Sequence, residues 1–430
     1  MKFHILQKVK LTIKTIYNRI VRKDPESIFF YPHGNCRFDG YDILNGDSDN
    51  VLCLFNDLVR DERFNRYHFY ILYYHDDRLA SYQNYVKPFH PERIHFVRYQ
   101  DGRGTWKAIT KCKTIFTDTD YTRIRYKSKN QKCICLNYFG GLIKNEFFRW
   151  ENHGGYQKML EEQQEMHRLY DYNLSISDIC SKFIALDNCH YYANFLPLGF
   201  PRNDTLFKDH SDLRKQIENI VGFHFKNLIT YVPTHRDYEN PAREFFDKEK
   251  ATSRSIWGHI TADDSASLEK TLAETETLII AKVHPIQQAQ TSVIQSQSSS
   301  RILFYKDLAD KIKTSLNPLL SISDSIITDY TTTVYDYLFL NRPIIYYFYD
   351  IEQYRKTRGF FIEPIESICA GNIAYNISDL QSAIREIAER KDSAKEKRAF
   401  LKDLFIKYPD GNATKRIKDF FFPSTTSLKK

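Results

Sequence analysis

Long apolar runs, paired cysteines and internal repeats are all missing from this chain of 430 residues. No stretch approaches the ~20 apolar residues that cross a bilayer, and no apolar core near the N-terminus leads into a small-residue cleavage site. The body is therefore expected to stay in the cytoplasm. Eight cysteines over this length do not make a disulfide framework, and none are spaced as the CxxC pairs that bind zinc. Cys133 and Cys135 lie on one face of an apolar run, where packing rather than ligation is expected. Helix-turn-helix, zinc-finger and RNA-binding aromatic patterns are absent too, so positive charge alone does not imply nucleic acid.

What is present suits two domains. Hydrophobic residues make up 42% of the chain, enough for two cores. Lys and Arg number 62 against 54 Asp and Glu, a net charge of +8 that favours anionic partners such as nucleotide diphosphates or acidic lipid surfaces. Residues 2 to 23 form a basic amphipathic pattern, with Leu6, Val9, Ile13, Ile16 and Ile20 on one stripe. Two readings of this helix stand: an interfacial membrane helix, or a surface helix docked on its own domain.

Beyond it, apolar strands are predicted near Ile28 to Tyr31, Tyr67 to Tyr74, Ile94 to Arg98, Thr114 to Phe116 and Cys133 to Asn137, with helices near Asp49 to Arg60 and Gly155 to Tyr170. A second alternation begins near Asp209. Its strands are expected at Asn227 to Tyr231, Leu278 to Val283, Ile302 to Tyr305, Ser325 to Thr328 and Pro343 to Phe348, and its helices at Leu380 to Glu389 and Ala394 to Phe405. Such alternation argues for parallel sheets. The polar stretch Gln287 to Ser300 reads as a loop, either plain surface or an active-site lid.

The densest chemistry lies in residues 323 to 362, SDSIITDYTTTVYDYLFLNRPIIYYFYDIEQYRKTRGFFI. A strand, a turn, a helix and a second strand form a unit whose turn falls at the carboxyl end of the sheet, where open α/β sheets bind ligands. Thr331, Thr332 and Thr333 set hydroxyls beside the free N–H groups of a helix start, which suits phosphate; capping of the helix is the other use for them.

With Ser323-Asp324, Thr328-Asp329-Tyr330-Thr331-Thr332, Tyr335-Asp336, Arg342-Pro343-Ile344, Asp350, Tyr354 and Arg358-Gly359-Phe360, this segment resembles the CDP-glycerol glycerophosphotransferase family. In that family Thr-Asp-Tyr-Ser-Ser, a Phe-Asp helix, Lys-Pro-Ile and Arg-Gly-Phe follow at the same spacing. Gly199-Phe200-Pro201-Arg202-Asn203-Asp204, Tyr231-Val232-Pro233-Thr234-His235-Arg236-Asp237, His284-Pro285 and Asp410-Gly411-Asn412-Ala413 resemble further family motifs in the same order.

The resemblance implies an α/β, GT-B-like fold, with two Rossmann-like domains facing across a cleft. The expected division is 1–24 for the amphipathic helix, 25–207 for an acceptor domain, 208–422 for a CDP-donor domain and 423–430 for a tail. It also implies transfer of glycerol phosphate, or a related alditol phosphate, from a CDP-alditol to a lipid-linked or polymer acceptor. The setting would be teichoic acid or capsule synthesis at the cytoplasmic face of the plasma membrane, with the protein held peripherally.

Within that resemblance, His284 is expected to bind the diphosphate or transfer a proton, and Pro285 disfavours helical geometry beside it. Arg236 and Arg202 present guanidinium forks suited to phosphate, although each could instead pair with its neighbour, Asp237 or Asp204. Arg358 could close over the donor. Thr234, Tyr330 and the three threonines complete the expected donor site, while Asp329 and Asp336 orient the loop and helix or bind ribose hydroxyls. No cofactor is implied, and Asp118-Thr119-Asp120 is assigned no metal role.

One departure is plain. Where the family carries Trp-His-Gly-Thr-Pro-Leu-Lys, this chain has Tyr138-Phe139-Gly140-Gly141-Leu142-Ile143-Lys144. Phe139 replaces the histidine commonly assigned as general base, so His153 becomes a candidate for that role on the acceptor side, beside Tyr138, Gly140, Gly141 and Lys144. The same departure leaves open a GT-B glycosyltransferase using a nucleotide sugar, or a non-catalytic family member.

Overall fold

The computed structural model describes residues 2–32, 49–118, 123–136, 143, 156–187, 194–234, 236, 256–258, 260–283 and 299–423. These fall into two compact units. One takes its described residues from Met1–Phe139, Gln157–Asp204 and Asn412–Lys430, and the other from Gly140–Tyr156 and Thr205–Gly411.

In the first unit the strands are β1 (Asp24–Tyr31), β2 (His68–Tyr73), β3 (Ile94–Arg98), β4 (Cys112–Thr117), β5 (Lys132–Cys135), β6 (Tyr172–Leu174) and β7 (Phe195–Leu196). They pair in the order β3-β2-β1-β4-β5-β6-β7, every pair parallel. The interior strand β1 shows why, because its Ile28, Phe29, Phe30 and Tyr31 are all buried, as a parallel strand covered on both faces requires. Phe30 meets Phe55 of the helix Asn50–Leu58 and Phe116 of β4 at ring separations of 5.3 and 5.8 Å. That helix starts where Asp49 accepts the Leu52 N–H at 2.8 Å.

The last helix, Ala413–Phe421, packs with the first unit. This differs from the contiguous 208–422 domain expected from the sequence, and the cause is a cap formed over a long sequence separation. The Asp204 carboxylate accepts the N–H groups of Ala413 and Thr414, both at 2.8 Å, at the helix's positive end. Burial pushes this carboxyl above the usual range, only partly offset by those bonds. Arg416 donates to the Leu198 carbonyl at 2.9 Å, and Lys418 pairs with Asp61 at 2.8 Å. The Gly199–Asp204 and Asp410–Ala413 motifs are thus two halves of one capping contact.

The second unit holds β8 (Asn227–Val232), β9 (Thr277–Ala281), β10 (Ile302–Phe304), β11 (Ser325–Thr328), β12 (Ile344–Tyr347) and β13 (Asn372–Ala374). Their order is β10-β9-β8-β11-β12-β13, again all parallel. This is the doubly wound order, and its direction reverses between β8 and β11. Ile229 and Tyr231 face one buried cluster with Ile279 and Ile327, while Leu228 faces another with Leu278 and Ile280.

Family-pattern residues fasten the amino end of this sheet. Asp324 accepts the Leu228 N–H at 2.8 Å and pairs with Arg214 at 3.1 Å. Ser323 shares a hydrogen bond of 2.7 Å with Thr230, and Arg342 donates to the carbonyls of Ser321 and Ser323, both at 2.7 Å. Ser323, Asp324 and Arg342 therefore serve the fold, at the end of the sheet away from ligands. Among the described residues, no helix is long and apolar enough to cross a membrane.

Candidate functional site

β8 and β11 are neighbours with Val232 opposite Thr328, so the residues that leave both strands meet at the switch point of the second sheet. Asp329 organises this meeting. Its carboxylate accepts the Thr234 N–H at 2.9 and 3.0 Å, the Tyr330 N–H at 2.6 Å and an Arg236 Nη1–H at 2.7 Å. Arg236 also donates from Nη1 to the Thr234 carbonyl at 2.8 Å, and from Nε and Nη2 to Asp350 at 2.7 and 2.9 Å. Asp350 lies just beyond β12, so a single guanidinium laces together the carboxyl ends of three strands.

An aromatic bed lies under this knot. The Arg236 guanidinium sits 4.9 Å from the Tyr330 ring and 5.1 Å from Tyr349. Tyr330 stacks on Tyr354 at 3.8 Å and on Phe348 at 5.1 Å, and its hydroxyl donates to Asp350 at 3.1 Å. Burial first, and then the Asp350 charge, push the Tyr330 hydroxyl well above its ordinary range, so it stays a donor. Gly359, at φ +65°, turns the chain so that Phe360 returns to within 5.7 Å of the Tyr354 ring.

This geometry changes the role read for Arg236. The sequence points to a guanidinium reaching for phosphate, but the side chain is 1% exposed and its fork is engaged by Asp329 and Asp350. In the structure it ties Asp329, the Thr234 carbonyl and Asp350 together. Asp329 is also fully buried, with its carboxylate held by the N–H groups of Thr234 and Tyr330 and by Arg236. Thr234 stands out because its Oγ1 is buried and, among the described residues, has no hydrogen-bond partner, although its own N–H and C=O are fixed by Asp329 and Arg236. An unsatisfied buried hydroxyl costs about 1–3 kcal/mol unless a ligand completes it.

The threonine turn is half-exposed. Thr331 accepts the Thr333 N–H at 3.3 Å, and Thr332 occupies the cap position of the helix Thr333–Leu338 without making a side-chain cap. Asp336 is buried in the first turn of that short helix, and Arg358 is half-buried at the end of the helix Ile351–Thr357. Arg202 belongs to the first unit, where its N–H donates to Asn50 at 3.1 Å and its guanidinium lies 5.0 Å from the Phe200 ring. His153, His284, Tyr138, Phe139, Gly140, Gly141 and Lys144 lie outside the described residues, as do His235, Asp237 and the Gln287 stretch up to residue 298.

Sequence reasoning assigned no role to Asp350, Tyr354 or Ile143. The first two belong to the recognised pattern, and the signal was there in their spacing. Ile143 is buried in an apolar pocket with Val334, Leu338, Tyr346 and Phe405, and its carbonyl accepts the Phe361 N–H at 3.1 Å. Among the described residues, no three His, Cys, Asp or Glu side chains gather as metal ligands.

Two parallel-sheet units in one chain, the second in the doubly wound order, make a GT-B-like α/β fold. In solved structures the wall teichoic acid polymerase TagF has a similar fold, with a TM-score of 0.67 over 100% of this chain and 98% of that one, at 18% identity. The sequence matches the CDP-glycerol:poly(glycerophosphate) glycerophosphotransferase family over residues 42–423, and the chain belongs to that family. Similar relatives include the teichoic acid glycerol-phosphate primase of Bacillus subtilis, 26% identical over 318 residues, which cover 72% of this chain and 73% of the relative. The teichoic acid ribitol-phosphate primase of Bacillus spizizenii is 26% identical over 331 residues, or 74% of this chain and 77% of the relative.

Proposed function

We propose that the protein transfers an alditol phosphate from a CDP-alditol, CDP-glycerol first, to a hydroxyl of a lipid-linked or polymeric acceptor in teichoic acid or related polymer synthesis. The observation that carries this reading is the buried Thr234 hydroxyl at the β8/β11 switch point, without a partner among the described residues, near the half-exposed Thr331–Thr333 turn. Hydroxyl donors at that end of a doubly wound sheet suit a diphosphate.

The acceptor oxygen attacks the β-phosphorus, the bond from that phosphorus to the CMP oxygen breaks, and the acceptor proton passes to a base. His284, which follows β9 in sequence, is the candidate for contact with the departing phosphate, and His153 for the base in place of the family histidine at Phe139. Arg236 acts one layer back by holding Asp329, and Asp329 holds Thr234. Arg358 and Arg202 remain the guanidinium candidates for phosphate oxygens. The lipid-linked acceptor places the reaction at the cytoplasmic face of the membrane, with the protein attached peripherally.

The test is release of CMP from CDP-glycerol and, in parallel, CDP-ribitol by purified protein supplied with a membrane extract. CMP from one donor supports the reading and names the alditol. A nucleoside diphosphate from a nucleotide sugar, with no CMP from either CDP-alditol, overturns it.

A further inference from the structure

The helix Lys2–Ile20 is fastened to the first unit by its polar side. Asn18 is fully buried and donates its amide to the Tyr126 carbonyl at 2.7 Å and to Gln131 Oε1 at 2.8 Å. Lys23 ties the helix end down by donating to the carbonyls of Asn18 and Thr110, both at 2.7 Å. The Lys14 ammonium lies 5.5 Å from the rings of both Trp106 and Tyr126.

Three isoleucines turn the other way. Ile13, Ile16 and Ile20 are 61%, 54% and 77% exposed. At 3.6 residues per turn they stand about 140–160° around the helix from Asn18. A helix resting on its own domain turns its apolar stripe inward. Here Ile13, Ile16 and Ile20 are outward, which favours the interfacial reading of this helix over the docked one.

The charge on the same segment selects the occupant. Every charged residue from Lys2 to Lys23 is Lys or Arg, and Arg19 and Arg22 are exposed on the described turns. A second copy of the helix laid on this face would set like charges together, which disfavours association. An anionic bilayer meets both features at once, since its acyl boundary takes the isoleucines and its headgroups take the arginines. We infer that Ile13, Ile16 and Ile20 seat this helix in the headgroup boundary of an anionic lipid bilayer, lying in the plane of the surface. The inference rests on the reading above that the acceptor is membrane-held, and it adds the docking face and the lipid charge.

The experiment is flotation of the full-length protein with vesicles of phosphatidylcholine alone or of phosphatidylcholine with phosphatidylglycerol. The wild type is expected to float with the anionic vesicles and to release in high salt. An Ile16→Glu/Ile20→Glu variant should bind about a hundredfold more weakly, because each buried isoleucine is worth about a decade in partition. Ile16→Gln/Ile20→Gln repeats the test without added charge and serves if the glutamates prevent folding. Arg19→Gln/Arg22→Gln should lose about tenfold on anionic vesicles alone.

Flotation of both isoleucine variants like the wild type would overturn the inference, as would wild type that floats with neither vesicle. So would a wild-type dimer that the isoleucine variants dissociate, because a second copy would then cover the face. CMP release onto a water-soluble acceptor separates the two claims. It should be unchanged in the isoleucine variants, whereas wild type that floats but releases no CMP would overturn the reaction and leave the docking in place.

Discussion

Replacing Arg236 by Met is the sharpest perturbation of the second unit. The guanidinium is 1% exposed, and its four recorded hydrogen bonds run to Asp329, which is fully buried, to the carbonyl of Thr234 and twice to Asp350. Methionine fills much of the volume but leaves two carboxylates without their counter-charge. Breaking a buried pair from one side costs about 3–5 kcal/mol. For a unit of this size each kcal/mol moves the melting temperature by roughly 2–4 °C, so its transition should fall by about 6–20 °C. Arg236→Lys keeps the charge but lacks the planar fork that reaches both carboxylates, and should recover only part of the loss. Calorimetry reads the transition, and the KM for CDP-glycerol reads the site. An Arg236→Met protein that melts within about 2 °C of wild type yet no longer binds donor would refute the positioning role and make this arginine a phosphate ligand.

Three further perturbations are informative. Thr234→Val should leave the melting temperature unchanged or raised, since it removes an orphan hydroxyl, while raising the KM for CDP-glycerol about tenfold; an unchanged KM would take Thr234 out of the donor site. Asp204→Ala should cost about 1–2 kcal/mol by uncapping the helix Ala413–Phe421, visible as earlier proteolysis after residue 411, and equal protection in both proteins would contradict the cap. Burial alone would raise the Asp61 carboxyl, but hydrogen bonds from Arg63 and Lys418 hold it well below the usual range. Because the folded pKa is depressed, the stabilisation is present above about pH 4 and fades as pH falls below it. Lys418→Met should therefore flatten the acid limb of the stability curve, and an unaltered limb would show that Lys418 does not couple to Asp61.

Most strands were legible because parallel strands buried on both faces are written as unbroken apolar runs, as in Ile28–Tyr31 and Leu278–Ala281. β6, β7 and β13 escaped because two or three residues carry no period to detect. The site was legible in its composition and not in its wiring. Thr234, Asp329 and Tyr330 were picked out together, but the partner that occupies Arg236 lies 114 residues away, and nothing local marks Asp350 as its counter-charge. Asp237, adjacent in sequence, was the more visible choice. The same limit applies to Asp204, whose carboxylate serves a helix start 209 residues later. For the N-terminal helix the sequence showed the apolar stripe but could not say which way it points. Asn18, the residue that decides this, is one polar side chain among many until Tyr126 and Gln131 are seen around it.

The central claim is phosphotransfer from a CDP-alditol at the β8/β11 switch point, and its most direct measurement is CMP release by purified wild type beside Thr234→Val and His284→Ala. The account predicts CMP from CDP-glycerol or CDP-ribitol, release that needs more donor in Thr234→Val, and release abolished in His284→Ala. No CMP from either donor in folded protein, or equal release by all three proteins, would contradict it.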